Sequence, residues 1–185
     1  MTEQAWETKY SEVGYTCDGF DIVSQTVELP DGTEAAFDYM AENPSAVVLP
    51  FDTDGRVVVI EEWRQAVERL NQGIPAGTLE GSEDREAGAR RELREETGYR
   101  AGSMEHLVTV EPANGFSDAL FHYFVARECE PATDQRLDTD ETIDVRTTTF
   151  EKLVEAVRDG KLRDGRTAFG VLYYALFETG GWTTE

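Results

Sequence analysis

The sequence predicts an α/β protein: a mixed sheet with helices on both sides, preceded by a small N-terminal β subdomain. Three observations carry that expectation. Apolar runs of strand length, set off by turn residues, fill the first part of the chain; an acidic stretch bounded by glycines reads as a helix in their midst; and helical periodicity takes over in the last third.

Two strands, DIVSQTVEL and EAAFDYM, meet at the turn Pro30-Asp31-Gly32-Thr33, and residues 1–43 are read as the β subdomain, with the main domain spanning 44–185. The main domain opens with the apolar runs 46–49 and 57–63 around a turn at Asp54-Gly55, as expected of well-buried strands. A loop and the acidic helix follow, then strands at about 105–110, 120–126 and 142–148. Thr149 suits the cap of a helix over 150–159 with Leu153, Val154 and Val157 on one face and Gly160 as its stop. A last helix, about 167–178, carries Phe169, Leu172, Tyr173, Leu176 and Phe177. No internal repeat or low-complexity segment interrupts this order.

Composition narrows the function classes. A length of 185 residues with 39% apolar content is enough for one cored domain and a small annex. There is no run of 18 apolar residues, and MTEQAWETKY lacks the basic and apolar stretches of a signal peptide, so the expectation is a soluble, cytoplasmic chain. Cys17 and Cys129 have no metal-type spacing and read as reduced, structural thiols. A net charge of −21 repels nucleic acid and anionic membranes, so neither is expected as a partner. Only Lys9, Lys152 and Lys161 stand against fourteen arginines. An acidic, lysine-poor surface suits concentrated salt, where a Debye length of about 3 Å at 1 M removes self-repulsion, and the chain reads as halophilic.

The acidic helix is the most informative segment. Ser82, followed by Glu83, Asp84 and Glu86, reads as its capped start and Gly98 as its stop. Glu92, Glu95 and Glu96 stand at i, i+3 and i+4, so one turn gathers three carboxylates on one side, and Arg91 is placed to pair with Glu95. Such carboxylates raise one another's pKa unless positive charge sits among them. A hard divalent cation, Mg2+ or Mn2+, meets that need with oxygen ligands. A solvated acidic face is the other reading for the helix alone, in a chain with 38 acidic residues.

The spacing decides between them. Gly77, Glu83, Arg91, Glu92, Glu95, Glu96 and Gly98, with Leu93 and Tyr99 at the apolar places, follow G-x5-E-x7-R-E-U-x-E-E-x-G-U. Chance agreement at the seven fixed positions is on the order of 10^-7 per starting point. The pattern resembles the signature of the Nudix hydrolases. The wider order of PDG, AVVLP, DGRVVVI, EEWRQ, PAG, this helix, GFSD and a closing EKLVEAVRDGKLRDGRTAFGVLYYAL resembles the ADP-ribose pyrophosphatase branch over about residues 20–178.

That resemblance implies a Nudix α/β/α sandwich with an N-terminal sheet used for dimerisation and substrate contacts, in a homodimer with shared sites. It implies a small-molecule nucleotide diphosphate substrate, hydrolysed with Mg2+ or Mn2+. By the same resemblance Glu92 and Glu96 are the main metal ligands, Glu95 is a third acid, and Ala76 binds through its carbonyl. Arg91 orients the acids, and Glu83 closes the loop or assists the metals. Arg64 touches the substrate phosphates, and Phe116 and Ser117 of the GFSD run contact substrate. The general base is sought in RLDTDET, among Asp138, Asp140 and Glu141. Glu141 aligns with the family acid; it could instead bind a metal while another acid acts as base, or the loop could be solvated surface. Trp63, with Trp6, Tyr10, Phe20 and Tyr39, is a candidate for stacking on adenine, the other reading being core or dimer interface. His106 and His122 are expected to be structural.

Three positions depart from ADP-ribose-cleaving members: Asn114 where a proline is common, and Gly73 and Ala119 where acids are. They leave room for a nucleotide sugar, another ADP-sugar or a damaged nucleoside triphosphate as substrate. A nucleotide-sensing module without turnover is the reading from a different class, and the intact acids speak against it.

Overall fold

A computed structural model of the protein describes residues 4–139 and 141–180. The chain divides into two compact units, one running to Pro44 and taking in Val110–Leu120, the other holding Ser45–Thr109 and the chain from Phe121 onward.

In the first unit, β1 (Glu7–Thr16), β2 (Asp21–Glu28) and β3 (Glu34–Ala41) form an antiparallel sheet in that order. The turn at 30–33 forms where the sequence places it, with Asp31 Oδ1 accepting the Thr33 amide. β1 is not legible in the sequence. Every residue of it is exposed, so it shows no apolar alternation, and its pairing with β2 carries two register shifts. Loop 110–120 fastens to β3, with the Met40 amide donating to the Phe116 carbonyl and Asp118 to the Met40 carbonyl.

The second unit contains β4 (Ser45–Asp52), β5 (Val57–Arg64), β6 (Arg69–Gly73), β7 (Ala76–Thr78), α1 (Arg85–Thr97), β8 (Tyr99–Arg100), all but the last residue of β9 (Ser103–Val110), β10 (Phe121–Pro131), β11 (Ile143–Thr148), α2 (Phe150–Arg158) and α3 (Gly165–Tyr173). Its strands make a mixed sheet in the order β11-β5-β4-β10-β8, with β6 on β5, β7 on β4 and β9 on β10. β10 runs parallel to β4, while β11 and β6 run antiparallel to β5.

Side-chain alternation along β4 and β10 sends successive residues to opposite faces. Ala46, Val48, Phe124 and Ala126 pack on one face with Leu79, Ala89 and Leu93 of the α1 layer. On the other face Phe51 meets Phe150 and Tyr174, and Tyr123 meets Phe169. Helices therefore cover both sides of the sheet, as the sequence implies. Burial of the β4 and β5 runs is nearly complete, Val47, Val48, Val57, Val58 and Val59 all being 0% exposed.

Several boundaries differ from expectation. β6 and β7 lie in what the sequence offers only as a loop, since IPAGT and RLNQG lack clean alternation. The cap of α1 is Asp84 and not Ser82: its carboxylate accepts the amides of Glu86 and Ala87, and a charged acceptor suits the dipole end better than a hydroxyl. Thr149 caps α2 as read from the sequence. The last helix begins at Gly165, capped by Asp164, and from Tyr174 to Glu178 it widens into a π turn. Among the described residues no helix is long and apolar enough to cross a membrane.

Candidate active site

α1 owes its position to both of its ends. At its start Asp84 fixes the first turn, and Glu83 just before it accepts the Glu80 amide and a two-pronged contact from Arg91 at 3.1 and 3.0 Å. At its end Gly98 adopts φ 75°, and its amide closes on the Arg94 carbonyl. A side chain there would be strained and would also strike the Thr133 carbonyl.

The segment after β10 is stitched to this helix end. Ala132 and Thr133 donate to the Gly98 carbonyl, Arg136 to that of Glu95, and Gln135 Nε2 to that of Glu96 at 2.6 Å. Carbonyls that a helix C-terminus leaves without partners thereby tether the acidic loop beside the helix face. Glu141, near the end of that loop, lies close enough for its charge to raise the proton affinity of both Glu92 and Glu96. Its own carboxylate accepts the Asp138 amide at 3.0 Å. Asp138 is exposed, and Asp140 lies outside the described residues.

Glu92, Glu95 and Glu96 share one side of α1, but not one environment. Glu92 is 8% exposed and Glu96 4%, while the Glu95 carboxylate is more open. Desolvation holds Glu92 up at about 6 and Glu96 at about 8, each further raised by its acidic neighbours. Arg91 counters this. Its Nη1 reaches Glu92 at 2.7 Å and Glu95 at 3.0 Å, and its Nη2 donates to the Thr78 carbonyl. Glu96 Oε2 accepts the amide of Ala76 at 3.0 Å, which ties the helix to β7. On β7 Gly77 faces Glu92 so closely that a Cβ would land on its carboxylate, the physical reason for glycine at that point of the motif.

The donor set fits a hard divalent cation: oxygen atoms only, two carboxylates too buried to ionise comfortably on their own, and a glycine backbone pressed against one of them. As the side chains stand, no three acidic, histidine or cysteine groups among the described residues converge on one point, because Arg91 takes up oxygens of Glu92 and Glu95.

Glu62 is a member of this neighbourhood that sequence reading overlooks. It is 6% exposed, pairs with Arg64 at 2.7 Å, and its charge also raises Glu96. A signal is present: with Val58 and Ile60 facing inward, period-two alternation puts Glu62 on the same side. Trp63 consequently faces the other way, half exposed, with its indole N–H on Gln65 and Leu70 opposite it on β6. Phe116 and Ser117 belong to the first unit, where Phe116 is exposed and Ser117 is buried with its hydroxyl donating to Glu42. Of the other aromatics, Trp6 meets Phe37 edge-on and Phe37 stacks on Tyr39. His106 and His122 flank the Thr109 hydroxyl at 3.0 and 2.8 Å, and burial lowers the pKa of both.

The raised acids give a pH prediction for protein stripped of divalent ions. Glu96 has a folded pKa of about 8 against an ordinary 4.5. The folded state thus keeps a proton that the unfolded chain releases, and the stability this confers is complete below the unfolded value and lost as pH rises through the folded one. The expected result in EDTA is a Tm that falls by roughly 5–10 °C between about pH 5 and 8, equivalent to a few kcal/mol. A melting curve that is flat or rising over that window would contradict the burial of Glu96.

Comparison with known proteins gives a consistent picture. The NUDIX domain profile matches residues 41–168. The chain is 35% identical over 160 residues to the ADP-ribose pyrophosphatase of Bacillus subtilis (strain 168), covering 85% of this chain and 86% of that protein. It is 31% identical over 153 residues to the methanol dehydrogenase activator of Bacillus methanolicus, covering 82% and 83%. It is 30% identical over 142 residues to the GDP-mannose pyrophosphatase of Salmonella arizonae (strain ATCC BAA-731 / CDC346-86 / RSK2980), covering 73% and 74%. A crystal structure of an ADP compounds hydrolase superposes with a TM-score of 0.85 over 98% of both chains at 18% identity, a likeness of fold.

Proposed function

This chain belongs to the Nudix family, and from that premise we propose that it is a pyrophosphohydrolase that uses Mg2+ or Mn2+ to split ADP-ribose into AMP and ribose 5-phosphate. The observation that carries this reading is the pair of buried carboxylates, Glu92 and Glu96, set against the β7 backbone on the helix that bears the motif. Glu92, Glu95, Glu96 and the Ala76 carbonyl would hold the cation. When bound, the cation supplies positive charge that screens the diphosphate and makes water easier to deprotonate.

The remaining work falls to the chain's own groups. Arg64, held by Glu62, offers its free N–H donors to the diphosphate oxygens. Glu141 is the acceptor for the proton of the attacking water. Arg91 keeps Glu92 and Glu95 in register, and Glu83 keeps Arg91 there. Trp63, Phe116 and Ser117 are assigned to substrate contacts. The sheet of residues 1–43 serves dimerisation, the working form is a cytoplasmic homodimer, and the net charge of −21 adapts it to concentrated salt.

A second reading keeps the chemistry and changes the leaving half to a sugar phosphate from a nucleotide sugar. Gly73 favours it: where an acid is common in ADP-ribose-cleaving relatives, a Cβ here would already press on Thr167 Oγ1 at 3.3 Å. Product identification on a panel of ADP-ribose, other ADP-sugars, GDP-mannose and nucleoside triphosphates with Mg2+ in high salt separates the readings. ADP-ribose is expected to be cleaved fastest, with AMP released. Faster cleavage of GDP-mannose would move the assignment to nucleotide sugars.

A further inference from the structure

The loop between β10 and β11 has to hold an acid against other acids. Glu141 stands close enough to Glu92 and Glu96 for its charge to raise the proton affinity of both, so like charge pushes the loop away from α1. The anchors lie on either side of that carboxylate. On one side the Arg136 amide donates to the Glu95 carbonyl. On the other, Ile143 opens β11 opposite Glu62 on β5.

Gln135 joins the two. Its Nε2 donates to the Glu96 carbonyl at 2.6 Å and to the Ile143 carbonyl at 3.2 Å, so both N–H groups of one side-chain amide are engaged. The first carbonyl belongs to the last turn of α1, where the helix offers it no further partner. The second lies just past Glu141. Within the span so closed, the Glu141 amide donates to the Asp138 carbonyl at 3.1 Å and the Glu141 carboxylate accepts the Asp138 amide at 3.0 Å. The loop is therefore tied at its mouth and braced inside, which keeps Glu141 at one distance from the acids of α1. The chemistry of the tie matters as well. A lysine or arginine here would also hold the loop, but its charge would stand beside the acids and lower their affinity for a proton. A neutral amide ties the loop without adding charge. Gln135 is itself exposed, so the packing of the core does not call for it.

Resting on the hydrolase reading above, with Glu141 as the proton acceptor, we propose that Gln135 is a positioning residue, which clasps the end of α1 to the start of β11 and thereby sets Glu141 within reach of the attacking water. It touches neither substrate nor cation and acts through Glu141. Nothing in the motif signals Gln135, which enters only through the fold.

The test compares turnover of ADP-ribose with Mg2+ in wild type, Gln135→Met, Glu141→Gln and the double variant. Gln135→Met, which keeps the length of the side chain and removes both donors, is expected to lower kcat about tenfold, less than loss of the base itself, with KM within about twofold of wild type. In the Glu141→Gln background the same change should cost no more than about twofold, because its route to the reaction is already cut. A folded Gln135→Met protein with wild-type kcat overturns the proposal, and so do losses that multiply in the double variant, which would mean that the amide acts on something other than Glu141. If Gln135→Met does not fold, Gln135→Asn holds the amide one methylene short: the same loss in kcat alone is expected, and its absence refutes the clasp. Trypsin reads the tie without turnover, and cleavage after Arg136 should be about fivefold or more faster in Gln135→Met, since two hydrogen bonds no longer hold the loop closed. Unchanged cleavage overturns the clasp, whereas faster cleavage in a protein that leaves ADP-ribose intact would sink the proposed reaction while supporting the tie.

Discussion

Replacing Glu96 by glutamine is expected to lower kcat/KM by about 10^3-fold or more, since on the proposed function its buried carboxylate charge helps to hold the cation. Shape is conserved in this change. The glutamine carbonyl can accept the Ala76 amide as Glu96 Oε2 does at 3.0 Å, so the tie between α1 and β7 survives. Charge is what disappears, and with it the repulsion that Glu96 exchanges with Glu92, Glu141 and Glu62. Activity and stability should therefore part company: in EDTA at alkaline pH the variant should melt no earlier than wild type, and its Tm should lose most of the downward slope with pH, the remainder coming from Glu92. Turnover close to wild type would remove Glu96 from the site altogether.

Gly77→Ala should be nearly as severe by a different route. The added methyl group falls on the Glu92 carboxylate, so either β7 retreats from α1 or Glu92 leaves its place. Overpacking of this kind costs about 1–3 kcal/mol, and a misplacement of even 1 Å in a reacting site can cost about 10^2-fold in rate. Both losses are expected together, seen as a lower Tm and a lower kcat in the same protein. The companion change Glu92→Gln tells steric from electrostatic damage, since it leaves the space beside Gly77 as it is. Wild-type kcat in the Gly77→Ala protein would mean that the backbone here does not shape the site.

How much of this is legible in the sequence depends on how local the signal is. The helix and its acids can be read because capping, glycine and i, i+3, i+4 spacing are short-range facts, and the strands of the core because unbroken apolar runs such as VVVI have few other uses. The cap itself sits two residues beyond the expected one, since Ser82 and Asp84 are both good caps and only the turn before the helix, held by Glu83 on Glu80, selects between them. β1 leaves no pattern to read because it is stabilised by backbone pairing with β2 and none of its residues is buried. Glu62 reads as one of many acids in an acidic chain, although strand alternation points it inward. That Arg64 of β5 and Arg166 of α3 line one small cleft cannot be read at all, for their separation in sequence is bridged only by the packing of α3 against the sheet.

Arg91 has a last consequence. A guanidinium keeps its proton at any pH a cell reaches, and this one is anchored by Glu83 and the Thr78 carbonyl as well as by the acids it serves. Glu92 and Glu95 are thus never left facing each other alone, and their arrangement is maintained by the polypeptide itself. On the proposed function, ions would come and go without any refolding, making the divalent cation an exchangeable reagent drawn from the medium instead of a piece of the scaffold, and its free concentration would set the pace of turnover directly.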